Sequence, residues 1–135
     1  MLFDLAELRR ALHNLIHIGT VTEVDYAAAA ARITIGHILT DWLPWTLTDT
    51  GPRRIAWQAL QVGEQVVVLS PGGDLATGII IGSLYQAQYP RPSDNPDVHQ
   101  QQYADGASIS YNQAQHTLHA TLPDGPPRYY TALAG

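Results

Sequence analysis

VGEQVVVLSPGGDLATGIIIGSLY, residues 62–85, contains the strongest strand candidate of the chain, Val62–Ser70, and a second one, Ala76–Tyr85. β-Branched residues dominate both halves, a composition typical of strands. In the first half, strand alternation places Val66 and Val68 on one face and Val67 on the other. The intervening SPGGD is a turn by composition. The stretch therefore predicts two strands joined by a short turn.

Three further strand candidates precede this stretch. None of the segments that connect them has the apolar periodicity of a long helix. They are Ile18–Asp25, Ala31–Ile35 and Thr40–Trp45, where Pro44 indicates an edge strand or a bend. Five short strands at this spacing predict an all-β fold, a small antiparallel barrel of the five-stranded OB type. The residues expected inside this barrel are Val24, Ile33, Ile35, Val66, Val68 and Ile80.

The chain begins with a predicted amphipathic helix, Leu2–Asn14. Its leucines recur at spacings of three and four, at Leu5, Leu8 and Leu12. A helix with one apolar stripe needs a surface to cover it. That surface is either the helix's own domain or another chain, and the sequence leaves both alternatives open.

The C-terminal part follows a proline-rich linker, YPRPSDNPD (residues 89–97), and reads as a ribbon of short strands. Alternation gives the ribbon one thin apolar face, whose main members are Ile109, Tyr111, Leu118, Ala120 and Leu122. RYYTAL (residues 128–133) is a candidate for one more strand. Two or three strands with one apolar face are marginal alone in water, so the ribbon needs a partner.

Composition excludes several classes of function. The formal net charge is −5, and all seven basic residues are arginines that form no continuous stripe, so we expect no nucleic-acid partner. The chain has no cysteine, which excludes disulfides and thiol catalysis. No apolar run approaches the ~20 residues of a membrane span, and the N-terminus lacks the pattern of a secretory signal.

The residues that could carry chemistry do not assemble into a known catalytic or metal-binding pattern. His13 and His17 are four apart, yet the HExxH pattern is missing, and His116 and His119 fall on opposite faces of a predicted strand. There is no GxSxG elbow, and the glycine-rich turn matches no phosphate-binding motif. The sequence therefore predicts no catalytic residue, no metal site and no cofactor.

Two other classes of function stay open as alternatives. Trp42 and Trp45 could stack bases or sugars on an OB fold, which would make the chain a binding module for oligosaccharide or nucleic acid. Three residues apart in an extended segment, they face opposite ways, so we expect one to enter the core and one to be more exposed. The weaker alternative is a metal-dependent hydrolase that uses the histidines.

Five segments, in order, resemble the phage baseplate assembly protein V family. They are IGTVTEVD, TDWLPW, VGEQVVVLSPGGDLATG, PRPSDNPDVH and YADGASISY, and the resemblance extends to about Leu122. Members are central spikes of contractile tails, related in architecture to the VgrG spike of type VI secretion. The resemblance implies a helix for hub attachment at residues 1–17, an OB domain at 18–88, a linker at 89–104, and at 105–135 the start of an intertwined trimeric β-helix or β-prism stalk.

The function implied by this resemblance is mechanical and not enzymatic. A homotrimeric spike caps the tail tube through hub and baseplate proteins and pierces the host outer membrane. The implied place is the tail baseplate of the virion, assembled in the host cytoplasm. In this picture Leu5, Leu8 and Leu12 contact the hub, and the apolar face of the ribbon forms the trimer interface.

The chain departs from the family pattern at its end. Longer members finish in an apex where an HxH motif binds iron, and His116-Thr-Leu-His119 does not match that motif. The metal is therefore not expected here. We expect either a truncated needle or a short spike whose tip is a separate PAAR-like protein.

Overall fold

The computed structural model describes residues 4–125, and within this range the chain is mostly β, with one short α-helix and two antiparallel sheets. The elements are α1 (Leu5–His13), β1 (Ile16–Asp25), β2 (Ala30–Ile35), β3 (Ile38–Leu39), β4 (Leu43–Pro44), β5 (Gln65–Leu69), β6 (Ile79–Leu84), β7 (Val98–Gln102), β8 (Ser108–Asn112) and β9 (Thr117–Thr121). They divide into two compact units, one up to Tyr89 and one from Pro90.

The first unit is a small OB-like barrel. Its strands follow the order β3-β2-β1-β5-β6, and β4 also pairs with β2. Trp45, which directly follows β4, bridges to Ile80, and the Thr46 amide donates to the Ile80 carbonyl at 3.0 Å. This contact links β6 back toward the β2 side of the sheet. The all-β fold predicted from the strand spacing is confirmed, and Pro44 limits β4 to two residues, as a proline in a ladder should.

The core of the barrel is aliphatic and confirms the predicted alternation. Ile33, Val66, Val68 and Ile80 are fully buried, and Val24 and Ile35 pack against them partly buried. Four further core members were not predicted from the sequence, namely Val21, Ala31, Leu43 and Leu60.

Helix α1 sits on the turn between β5 and β6. Asp4 caps its N-terminus by accepting hydrogen bonds from the amides of Ala6 and Glu7. The contact with the barrel is made by the helix backbone at Ala11, because a Cβ on Gly73 would lie 2.9 Å from the Ala11 Cα atom. Gly73 also has φ +77°, in the left-handed region that favours glycine. The helix is thus attached through a glycine contact and not through its leucines.

The second unit is a three-stranded antiparallel sheet of order β7-β8-β9, called the C-terminal sheet below. β7 lies inside the segment 89–104 that was predicted to be a linker, so the extended chain ends at Asp97. Its sequence, VHQQQ, has a single apolar residue, so no alternation could be seen in it. The predicted strand at 128–133 lies outside the described residues.

We expect Val66→Ala to lower the free energy of unfolding of the barrel by about 1–3 kcal/mol, because it opens a cavity among fully buried side chains. The same change at Val62, which is 61% exposed, serves as the control and should cost less than about 0.5 kcal/mol. Chemical denaturation followed by tryptophan fluorescence measures both. Equal costs at the two positions would show that the core lies elsewhere.

The glycine contact under α1 gives a second prediction. Gly72 and Gly73 both have positive φ, so alanine at either should cost about 1–2 kcal/mol of backbone strain. Only at Gly73 does the new methyl group meet the helix backbone, whereas nothing lies within 4 Å of such a group at Gly72. Gly73→Ala should therefore cost more than Gly72→Ala and expose α1 to protease. Identical stability and cleavage of the two variants would contradict this contact.

Candidate interaction surfaces

The C-terminal sheet carries an apolar face, formed by Ile109, Tyr111, Leu118, Ala120 and Leu122. Tyr111 is the register partner of Leu118, and Ile109 is the partner of Ala120. Leu122 follows β9 directly and continues its alternation. Ile109 is 46% and Leu118 74% exposed, so the face is open to solvent in the single chain.

The opposite face of the same sheet is uncharged and, apart from Val98, polar. Its other members are Gln100, Gln102, Ser108, Ser110, Asn112, Thr117, His119 and Thr121. No residue between positions 90 and 125 is buried. Within the described residues the sheet therefore has two distinct faces and no core of its own. Its apolar side chains are not explained by burial within this unit.

β7 adds two polar residues to the apolar face that were not predicted there from the sequence. His99 is the register partner of Tyr111, and Gln101 is the partner of Ile109. Both therefore stand on the same side of the sheet as these apolar side chains. Only the pairing with β8 reveals this position, since β7 has no apolar pattern.

Helix α1 presents a second open apolar surface, the leucine stripe of Leu5, Leu8 and Leu12. These side chains are 73%, 41% and 58% exposed. The opposite side of the helix is charged, and a hydrogen bond from the Arg10 guanidinium, helped by its positive charge, lowers the pKa of the Glu7 carboxyl. Of the two alternatives for this helix, covering of the stripe by its own barrel does not occur within residues 4–125.

The tryptophans pair with different neighbours. The Arg32 guanidinium carbon lies 5.9 Å from the centroid of the exposed Trp42 ring. Trp45 packs against the core, and its ring lies 5.9 Å from that of Trp57, tilted by 50°. The expectation that one of Trp42 and Trp45 enters the core is confirmed. Since their neighbours differ, they offer no shared stacking surface for the binding-module alternative.

Two open clefts lie beside β6. One of about 370 Å³ is lined by Trp45, Leu60 and Ile81 among others, and one of about 560 Å³ by Val62, Leu84 and Tyr85. Glu64 and Ser83 line both clefts, and the Ser83 hydroxyl donates to the Glu64 carboxylate at 2.7 Å. The carboxylate also accepts from the Gln61 amide. The Glu64 carboxylate is thus held in place by hydrogen bonds from two residues of its own unit.

The histidines are dispersed. His13 ends α1 while His17 lies in β1, so their spacing of four does not place them on one helix face. His116 lies in the turn before β9 with φ +54°, and not in a strand as predicted. Within residues 4–125 no three histidine, aspartate or glutamate side chains lie close enough to hold a metal ion. In the same range no helix has the length and apolar character to cross a membrane.

Comparisons with known proteins place these surfaces in context. Residues 17–85 match the family described as the type VI secretion system/phage-baseplate injector OB domain. The chain is 40% identical over 110 residues to a protein named spike protein from Escherichia phage P2. This similarity covers 82% of the chain and 52% of the P2 protein, so the chain spans about half the length of that relative.

Proposed function

The chain belongs to the injector OB-domain family of phage baseplates and type VI secretion systems, whose role is structural, and on that premise we propose that it is the homotrimeric central spike of a contractile tail. In this role it caps the tail tube at the baseplate and is driven through the host outer membrane when the tail contracts. The chain acts mechanically and turns over no substrate.

The observation that carries the proposal is the open apolar face of the C-terminal sheet. A sheet of three short strands without a core does not persist in water with Ile109 and Leu118 exposed. Three copies around an axis turn the three faces inward and leave the uncharged polar faces in solvent. Each chain then contributes one third of a core that no single chain can form.

The leucine stripe of α1 supports attachment to the tail hub. Family membership implies association with other baseplate components, and the stripe is an apolar surface that the barrel leaves uncovered. An amphipathic helix docks by laying such a stripe into an apolar groove of its partner. We assign this helix to the hub contact and the C-terminal sheet to the trimer contact.

The charge pattern agrees with a structural role that does not involve nucleic acid. A net charge of −5 repels a phosphate backbone, and arginines occur in adjacent pairs only at Arg9–Arg10 and Arg53–Arg54. Too few counterions would be released to hold DNA at physiological salt.

Ile109→Asp should dissociate the trimer, because three carboxylates would be brought close together in a largely apolar interface, where each is costly to ionise. Ser110→Asp is the matched control, since it adds the same charge one residue later on the solvent face. Multi-angle light scattering at micromolar concentration measures the mass of each. We expect a monomer for Ile109→Asp and a trimer for Ser110→Asp and for the unchanged chain.

Two results would contradict the proposed trimer. If the unchanged chain is a monomer at micromolar concentration, the proposed trimer is wrong. A trimer that tolerates Ile109→Asp but not Ser110→Asp would mean that the sheet faces the axis with its polar side.

Leu8→Glu should weaken incorporation of the chain into baseplates, because it places a charge in the middle of the leucine stripe. Ala6→Glu adds the same charge to the other side of α1 and is the control. Immunoblots of purified baseplates, normalised to the hub protein, give the amount incorporated. We expect a loss of tenfold or more for Leu8→Glu only, with both variants still folded by circular dichroism. Normal incorporation of Leu8→Glu would assign the hub contact to another surface.

A further inference from the structure

The outer face of the barrel carries an aliphatic ladder, defined as Ile16, Ile18, Val67, Leu69 and Ile79. The register pairs Ile16 with Leu69 and Ile18 with Val67 across β1 and β5, and Leu69 with Ile79 across β5 and β6. Val67, Leu69 and Ile79 alternate with the buried Val66, Val68 and Ile80, so they point away from the core. Ile16 and Ile18 lie on the same side as their register partners Leu69 and Val67. Ile16, Ile18 and Leu69 are 63%, 55% and 37% exposed.

Such a face is unusual for the outside of a barrel. An antiparallel sheet with one solvated side normally alternates apolar with polar residues. Here the outward residues of three adjacent strands are aliphatic as well, next to the buried Val66, Val68 and Ile80. Contiguous exposed apolar patches mark interaction sites. The proposed trimer contact does not use the ladder, since it lies in the other unit of the chain.

The charge of the ladder indicates what covers it. No member is ionisable, and the next register pair, Thr20 with Gln65, is polar but uncharged. Like charges brought face to face would oppose the packing of identical surfaces, and the ladder has none. Four of the five members are also β-branched, so they lose little side-chain freedom on packing. The ladder is therefore suited to contact with further copies of itself.

The ladder is too small to hold separate chains together and requires that the chains already be tethered. Five side chains, two of them already half-buried, fall well short of the ~800 Å² per partner of a stable independent interface. The linker from Pro90 to Asp97 has eight residues, which span at most about 28 Å. A trimer held at the C-terminal sheets thus keeps three barrels tethered at high effective concentration, where a small contact suffices.

We propose that the aliphatic ladders of three chains meet around the trimer axis and form a second intersubunit contact in the OB domain. This inference rests on the proposed homotrimer and adds the barrel to its interface. The spike is then held together by two contacts, one between the aliphatic ladders of the barrels and one between the apolar faces of the C-terminal sheets.

Cysteine cross-linking of the 135-residue chain tests the contact directly, because these residues include no cysteine. In Ile18→Cys the three thiols gather at the axis, and mild oxidation should convert up to two of every three subunits into covalent dimers. Ala28→Cys, in the exposed turn between β1 and β2, is the control and should give no dimer above background. Light scattering of both variants before oxidation establishes the trimer.

Ile18→Asp provides a second measurement, with Ala28→Asp as its control. The trimer of Ile18→Asp should persist through the C-terminal sheet but dissociate at a concentration at least tenfold higher than the control. Circular dichroism checks that both variants fold. If Ile18→Asp does not fold, the milder Ile18→Cys variant still tests the contact.

The outcomes separate the two proposals. A monomeric unchanged chain overturns the homotrimer, and the inference with it. A stable trimer in which the Ile18→Cys variant does not cross-link and Ile18→Asp dissociates like its control overturns the inference alone, and leaves the ladder to a different baseplate protein. Cross-linking of the Ile18→Cys variant together with the shifted dissociation supports it.

Discussion

The pairing of β1 with both β2 and β5 is the constraint on which the barrel depends. β1 is the longest strand, with ten residues, and it bends at a bulge between Val21 and Glu23. Its approach to β2 is so close that a Cβ on Gly19 would lie 2.6 Å from the Ile33 Cγ2 atom. β1 pairs with a neighbour on each side, and its inward residue Val21 is part of the core. Its outward residues Ile16 and Ile18 are register partners of Leu69 and Val67 in β5.

The two units of the chain solve the problem of burial differently. Among the described residues, the barrel encloses eight buried apolar side chains, which form one hydrophobic core as in other small domains. The C-terminal sheet has backbone pairing in full register over five residue pairs on each side of β8, but none of its residues between positions 90 and 125 is buried. Hydrogen bonds fix its geometry, whereas in the proposed trimer its stability comes from the neighbouring copies that cover Ile109 and Leu118. In the proposed trimer, the barrel folds within one chain, whereas the C-terminal sheet is completed only by assembly.

Features that follow from alternation were predictable from the sequence, and those that follow from pairing were not. β5, β6 and half of the buried core were predictable, because residues such as Val66 and Val68 repeat at the strand period. α1 was predictable from the spacing of its leucines. β7 was not, since its polar sequence gains strand structure only from β8, and His99 reached the apolar face by the same route. Leu60 was missed because it lies in a loop, where no periodicity marks a buried residue.

The uncharged polar face of the C-terminal sheet has a mechanical consequence for the proposed spike. Serine, threonine, asparagine and glutamine side chains there are small or neutral, and His119 is the only ionisable residue on that face among the described strands. A shaft with this surface would meet anionic lipid head groups without strong attraction or repulsion. It would therefore slide through the envelope with low friction, and the energy of sheath contraction would go into displacing lipid rather than into breaking ionic contacts along the shaft.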